Sequence, residues 1–227
     1  MNNLLKTKKF LFNLFFPKFC LGCQKEGTFL CQDCKETLDI SEYNYCLCEN
    51  RPQTLPPGKI MGKCNKCSDR KLAGLYFGLS YKEKPITRKL IHQFKYSYIK
   101  SLAKPSAEII AEHLIKSGKN TEEIWQNSVL IPVPLDKNKL KTRGYNQSEE
   151  LAKELSKILK IPVISDILIK IKETKPQMEL SKEEREKNLL DAFATNNKDI
   201  VGSDPAMLSG KKVFLVDDVY TTGSTME

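Results

Sequence analysis

The chain has 227 residues, of which 40% are hydrophobic and 29% charged, and its formal net charge is +9. This apolar content is enough for a buried core, which excludes a wholly disordered chain. No run approaches the roughly 18 apolar residues of a membrane-spanning helix, and the positive charge favours acidic or phosphate-bearing partners.

The first segment, residues 1–19, carries four lysines and no acidic residue. Lys6, Lys8 and Lys9 precede a short apolar run at 10–16, as in an export signal, but Asn13 interrupts the run and no small-residue cleavage site follows. We therefore predict an N-terminal amphipathic helix over 1–19 in a cytoplasmic protein. Contact of this helix with a membrane surface is the alternative.

All eight cysteines lie within residues 20–67, in four closely spaced pairs. They are Cys20, Cys23, Cys31, Cys34, Cys46, Cys48, Cys64 and Cys67. A Cys-x2-Cys pair lets both thiolates reach one tetrahedral ion at about 2.3 Å, so eight cysteines make two four-sulfur sites. We predict two structural zinc ions in a double zinc ribbon over 20–70, with the first four and the last four cysteines grouped together. A crossed grouping and a disulfide framework are the alternatives.

The segment 82–119 holds nine basic and three acidic residues. Residues 75–81 alternate as in a strand, and 84–97 and 102–117 have the period of helices. Basic side chains interleaved with aromatic ones suit single-stranded nucleic acid, because phosphates are neutralised while bases stack. The candidate contacts are Lys89, Lys95, Tyr96 and Lys100. The alternative is a solvated helix whose aromatic side chains face the core.

A strand–loop–helix–strand unit follows. Residues 129–133 predict a buried strand, a basic loop runs through Arg143 and Gly144, 147–160 predict an amphipathic helix, and 163–171 predict the next strand. This order predicts a parallel sheet flanked by helices.

The segment 213–225 is the most informative part of the sequence. An apolar strand runs into Asp217 and Asp218, at the sheet edge where ligands bind in α/β folds. The carboxylates suit sugar hydroxyls or a hydrated Mg²⁺, and a loop rich in hydroxyls suits a phosphate. The loop residues are Thr221, Thr222, Gly223, Ser224 and Thr225. A simple strand-to-helix turn with an Asp cap is the alternative.

This last segment resembles the phosphoribosyl pyrophosphate (PRPP) binding motif of type I phosphoribosyltransferases. With the cysteine-rich region, it makes the chain resemble the ComF family, in which a double zinc ribbon is fused to a phosphoribosyltransferase-like domain. Further motifs that carry this resemblance are 131–134, 143–147, Thr174 with Gln177, Arg185 with Asn188, and Ala192–Phe193. The resemblance implies an α/β fold, with the phosphoribosyltransferase-like domain over 71–227.

The resemblance also implies roles for particular residues. Asp217 and Asp218 would hold the ribose hydroxyls of PRPP, 221–225 would bind its 5′-phosphate, and Arg143 with Gly144 would face its pyrophosphate. Asp217, Asp218 and Arg143 are the candidate catalytic residues, and Mg²⁺ would accompany PRPP. Residues 172–188 would be the mobile loop over the site, and Lys170 stands where the family favours Arg. Family members continue with a helix and a strand beyond the phosphate loop, so a chain ending at Glu227 is expected to be C-terminally truncated.

The implied function is that of a competence protein with a PRPP-binding site, which handles incoming single-stranded DNA during natural transformation. A DNA-uptake helicase is an expected partner of such a protein. Two alternatives stay open: an active phosphoribosyltransferase of nucleotide metabolism with an unknown acceptor, and a non-catalytic zinc-ribbon scaffold.

Overall fold

The computed structural model describes residues 15, 17–48, 54–55, 62–80, 85–171, 192–195 and 208–220. Almost all of the predicted helix over 1–19 lies outside these residues, as do the predicted mobile loop over 172–188 and the predicted phosphate loop over 221–225. Within the described part of the chain, no helix is both long enough and apolar enough to cross a membrane.

The elements form a mixed α/β architecture. The helices are α1 (Gln32–Glu36), α2 (Pro85–Tyr96), α3 (Ala103–Lys116), α4 (Glu122–Trp125), α5 (Lys137–Arg143) and α6 (Gln147–Leu159). Short 3-10 turns span Asn65–Cys67 and Lys100–Leu102. The strands are β1 (Ser128–Pro132), β2 (Leu168–Lys170), β3 (Phe193–Thr195) and β4 (Lys212–Val216).

The three long helices lie where the periodicity of the sequence predicted helices. Helices α2, α3 and α6 begin and end within a residue or two of the predicted ranges. Leu151, Ala152 and Leu155 of α6 are buried on one face, as an amphipathic helix requires. The Asn146 side chain caps this helix by accepting from the Ser148 amide at 3.1 Å.

Helix α5 stands where the sequence predicted a basic loop, so that prediction was wrong. The Asp136 carboxylate accepts hydrogen bonds from the amides of Asn138 and Lys139. Gly144 ends the helix with φ +75°, a left-handed conformation that glycine adopts without strain. Asp136 and Gly144 are both capping signals that the sequence contains. The lysine-rich segment between them led to the prediction of a loop.

The parallel sheet pairs β1 with β4 in the register Ser128↔Lys212 through Pro132↔Val216. Every residue of β1 is buried. On the other side of β1, Val163 makes a single parallel bridge to Leu130. The predicted strand over 163–171 is therefore not continuous, because its second part, β2, instead pairs antiparallel with β3.

The segment predicted as a strand over 75–81 is not one within its described residues, 75–80. Leu75 makes one isolated bridge to Tyr45, and the Gly78 carbonyl accepts from the Ser41 amide at 3.0 Å. A Cβ at Gly78 would lie 2.7 Å from Ile109 Cγ2, so this position needs glycine. The alternating residues thus contact the cysteine-rich region and α3 instead of extending the sheet.

Two apolar clusters organise the fold. One surrounds the parallel sheet and joins α3, α6, β1 and β4. The other is shared between the cysteine-rich region and the helices. Its buried members are Leu21, Leu38, Ile40, Leu90, Phe94, Leu102, Ala103, Ile109 and Tyr145. The cysteine-rich region is therefore packed directly against α2 and α3.

A buried histidine adds a polar contact to this packing. His113 of α3 is 1% exposed, and its Nδ1 lies 2.6 Å from the Ser41 carbonyl oxygen. Burial lowers the pKa of His113, so the ring is neutral and Nδ1–H donates to that carbonyl.

Candidate functional site

The eight cysteines form two four-sulfur clusters. Within each cluster all four Sγ atoms lie within 4.8 Å of one another. The clusters are Cys20, Cys23, Cys31 and Cys34, and Cys46, Cys48, Cys64 and Cys67. This is the sequential grouping predicted from the spacing, and the crossed alternative is not observed.

The sulfur separations fit a tetrahedral metal site and exclude disulfides between these pairs. Cys20 and Cys23 each have Sγ at 3.6 Å from Cys31 Sγ, and Cys48 Sγ is 3.4 Å from Cys64 Sγ. Four sulfurs at about 2.3 Å from one zinc ion are about 3.8 Å apart, whereas a disulfide bond is about 2.05 Å long. Two four-cysteine clusters of this kind fit a double zinc ribbon.

Crowding of the thiols also favours a metal ion. The hydrogen bond between Cys48 and Cys64 lowers the pKa of Cys64 to about 7 and raises the pKa of Cys48 to about 12. One negative charge thus opposes the formation of the next within each cluster. A divalent cation removes this repulsion, and since zinc would have four sulfur ligands no position is left for a substrate.

The carboxylate pair follows directly after β4. Asp217 Oδ1 accepts from Ser148 Oγ of α6 at 2.9 Å and from the Asp218 amide at 2.9 Å. Asp218 Oδ1 forms an ion pair with Lys95 Nζ of α2 at 2.9 Å. Two helices from different parts of the chain therefore hold the two acids at the carboxyl edge of the parallel sheet.

The two aspartates differ in their environment. Burial and, second to it, the neighbouring charge of Asp218 together raise the pKa of Asp217 to about 7, against the opposing hydrogen bonds from the Asp218 amide and Ser148. Asp218 has Lys95 as its cationic partner, and its side chain is 9% exposed. One carboxylate of the pair is thus paired with an ammonium group, while the other is near the midpoint of its titration at neutral pH.

Arg143 lies beside the end of α2. Its guanidinium carbon is 5.5 Å from the centre of the Tyr96 ring, and its Nη1 donates to Gln147 Oε1 at 3.0 Å. Tyr96 follows Lys95 on the same helix, but Arg143 contacts Tyr96 and Gln147, whereas Lys95 contacts Asp218. Gly144 ends α5 next to Arg143 and leads into α6.

Helix α2 is tied to the start of α6 through one backbone carbonyl. The Phe94 carbonyl accepts from Tyr145 Oη at 2.6 Å and from Gln147 Nε2 at 3.3 Å. Burial raises the pKa of Tyr145 to about 12, so the hydroxyl remains a donor. These contacts fix the helix turn that carries Lys95 and Tyr96.

The candidate nucleic-acid residues occupy different surroundings. Lys89 Nζ lies 3.4 Å from the Leu21 carbonyl oxygen, and Lys95 contacts Asp218. Tyr96 is 52% exposed and its ring centre is 4.9 Å from that of His92. Lys100 has a 59% exposed side chain in an ion pair with Glu150. Lys95 is therefore beside the carboxylate edge, Tyr96 packs against His92 and Arg143, and Lys89 is at the junction with the cysteine-rich region.

Sequence reasoning missed Ser148 and the link from Lys95 to Asp218. Ser148 is separated from Asp217 by 69 positions, and no local pattern relates them. Ser148 lies in the first turn of α6, and this helix begins near the edge of the sheet. That position in the strand–helix unit could have identified Ser148 as a candidate from the sequence. Lys170, which stands where the related family favours Arg, has its Nζ 5.7 Å from the centre of the Phe193 ring.

The sequence of this chain matches several known proteins. Residues 144–227 match the family described as the phosphoribosyl transferase domain. The chain is 28% identical to competence protein F of Haemophilus influenzae and 25% identical to the DNA utilization protein YhgH of Escherichia coli, with 87% of each chain covered in both cases. It is also 33% identical over 100 residues to competence protein ComFC of Bacillus subtilis, which covers 43% of this chain and 35% of that protein. No solved structure gives a significant match.

Proposed function

We propose that this chain, a homologue of competence protein F and of YhgH with a phosphoribosyl transferase domain, binds PRPP at the carboxylate edge of its parallel sheet. The observation that carries the proposal is the pair Asp217 and Asp218 after β4, held by Ser148 and Lys95. Carboxylates at this edge accept hydrogen bonds from vicinal sugar hydroxyls.

We propose further that the protein acts in the cytoplasm on DNA taken up during natural transformation, together with competence machinery such as a DNA-uptake helicase.

The other groups of the ligand have proposed sites in the same region. Residues 221–225 would bind the 5′-phosphate, and Arg143 with Gly144 would face the pyrophosphate. Mg²⁺ bound with PRPP would neutralise charge on the pyrophosphate. If the protein turns PRPP over, Asp217, Asp218 and Arg143 are its catalytic residues. Binding of PRPP without turnover is equally compatible with this arrangement.

We expect Asp217→Asn and Asp218→Asn each to weaken PRPP binding by tenfold or more. A hydrogen bond that involves a charged group contributes about 1.5–3 kcal/mol, which corresponds to roughly tenfold to a hundredfold in affinity. The measurement is isothermal titration of PRPP with Mg²⁺ into the full chain. The matched control is Asp39→Asn, which removes an exposed aspartate of the cysteine-rich region. Unchanged affinity in both carboxylate variants would assign the ligand to another site.

We propose that single-stranded DNA contacts the exposed end of α2. Tyr96 and Tyr98 are 52% and 51% exposed, and Lys100 follows them with its side chain largely in solvent. Exposed aromatic rings beside cations offer stacking surfaces and phosphate contacts.

We expect Lys100→Glu to weaken binding of a fluorescent oligonucleotide and to make the dependence of affinity on salt less steep by about one unit. Fluorescence anisotropy at several salt concentrations measures both effects. Lys157→Glu is a matched control, because Lys157 pairs with Glu154 on α6 as Lys100 pairs with Glu150. Equal losses in the two variants would show only a general effect of net charge.

A further inference from the structure

Lys95 occupies an unusual position for a residue in a strongly basic segment. Its ammonium group lies 2.9 Å from Asp218 Oδ1, and its side chain is 23% exposed. Lys95 belongs to α2 and Asp218 follows β4, so the contact is made entirely by tertiary packing. The side chain thus points into the carboxylate edge instead of into bulk solvent.

The Lys95 ammonium has hydrogen-bonding capacity beyond this ion pair. An ammonium group carries three N–H donors, and among the described residues Asp218 accepts from that of Lys95. Since the group is partly exposed, the remaining donors can reach a ligand at the same edge. The ammonium is therefore a point charge able to serve both Asp218 and a phosphate oxygen.

The backbone around Lys95 is held in place. Phe94 is 1% exposed, and its carbonyl accepts the hydrogen bonds from Tyr145 and Gln147. On the other side, Tyr96 lies under the Arg143 guanidinium. Because its neighbours are fixed, the Lys95 stem starts from a defined position, which lowers the entropy lost when its ammonium binds an anion.

We propose that Lys95 is a specificity-determining residue that binds the pyrophosphate group of PRPP and favours this ligand over ribosyl monophosphates. The inference rests on the proposed PRPP site and adds a residue to it. Two carboxylates alone would repel a polyanionic ligand, and the ammonium paired with Asp218 offsets that repulsion. The pyrophosphate is the group that distinguishes PRPP from ribosyl monophosphates, and Lys95 supplies a cation at the carboxylate edge.

The test compares two ligands and two kinds of variant in the full chain. PRPP with Mg²⁺ and ribose 5-phosphate, which lacks the pyrophosphate, are titrated into the unaltered protein, Lys95→Met and Lys95→Gln. We expect the affinity for PRPP to fall roughly tenfold to a hundredfold, with ribose 5-phosphate changed by less than about threefold. Lys95→Arg is expected to recover part of the PRPP affinity, because the cation is restored with a different shape. Lys89→Met is the control on the same helix, since Lys89 contacts Leu21 instead of the carboxylates.

Each of the other possible results of these titrations contradicts a specific part of the proposal. Equal losses for both ligands would show that Lys95 acts by positioning Asp218 for the ribose, which overturns the pyrophosphate contact. Full PRPP affinity in Lys95→Met and Lys95→Gln would also overturn it, with the proposed function intact. Absence of PRPP binding by the unaltered protein would overturn the proposed function and the role of Lys95 with it. Thermal melts of each variant identify any loss of affinity that comes from unfolding.

Discussion

Chelation of zinc under reducing conditions is expected to release two zinc ions per chain and to unfold the surroundings of the second four-cysteine cluster. In the second cluster the buried core consists of Cys46, Leu47, Leu55 and Cys67, so half of its members are thiols. A core of this size cannot replace metal ligation, which contributes about 10–16 kcal/mol in zinc-finger peptides. Hydrogen exchange of backbone amides, before and after chelation, measures the effect, and addition of zinc should restore protection. Protection that persists after both ions are lost would contradict this prediction.

A single substitution can test the two clusters separately. A Cβ on Gly22 would lie 2.6 Å from Cys34 Sγ, so Gly22→Ala is expected to lower the zinc content from two ions to one. Gly27 has φ +105° and open space around its Cα. Gly27→Ala therefore strains the backbone of the same hairpin without reaching the thiols, and should keep both ions. Loss of zinc in both variants would indicate general unfolding instead of a specific contact.

The stability of the unaltered protein is expected to fall relative to that of Asp217→Asn as pH rises towards 7. The folded state raises the pKa of Asp217 from 3.8 to about 7, mainly through burial. Between these values the folded state holds a proton that the unfolded state has lost. The contribution of Asp217 to the free energy of unfolding is therefore fully present below about pH 4. It is lost as pH rises through about 7, by up to about 1.4 kcal/mol per pH unit.

Asp217→Asn is suitable for this comparison because the amide mimics the protonated acid. Both hydrogen bonds to Asp217 end on Oδ1, which an asparagine oxygen also supplies. Denaturant unfolding of both proteins between pH 5.5 and 8, with zinc present throughout, gives the difference in free energy of unfolding. We expect the difference to change up to about pH 7 and to level off above it. A difference that is constant over this range would show that Asp217 is ionised throughout.

Some of the fold followed directly from local patterns. Helices α2, α3 and α6 have clear periods in the sequence, and their observed bounds agree with the predictions. The prediction of one continuous strand over 163–171 was wrong, because alternation does not identify the strand with which a segment pairs. Val163 lies beside Leu130, whereas β2 pairs with β3. Strand pairing depends on segments distant in the sequence, and a period of two contains no information about them.

The sequence by itself determined which chemical groups the protein has for binding a metal ion or a ligand. Cysteine spacing is a local constraint, since two thiolates two or three positions apart can reach one ion, and it predicted the four cysteine pairs and two four-sulfur sites; the structure decided which pairs share a cluster. The apolar strand ending in Asp217 and Asp218 likewise placed two acids at a sheet edge. Only the tertiary structure decided that Ser148 supports one acid and that Lys95 neutralises the other. These contacts join helices to a strand far away in the chain, and they arise from how α2 and α6 pack against the sheet.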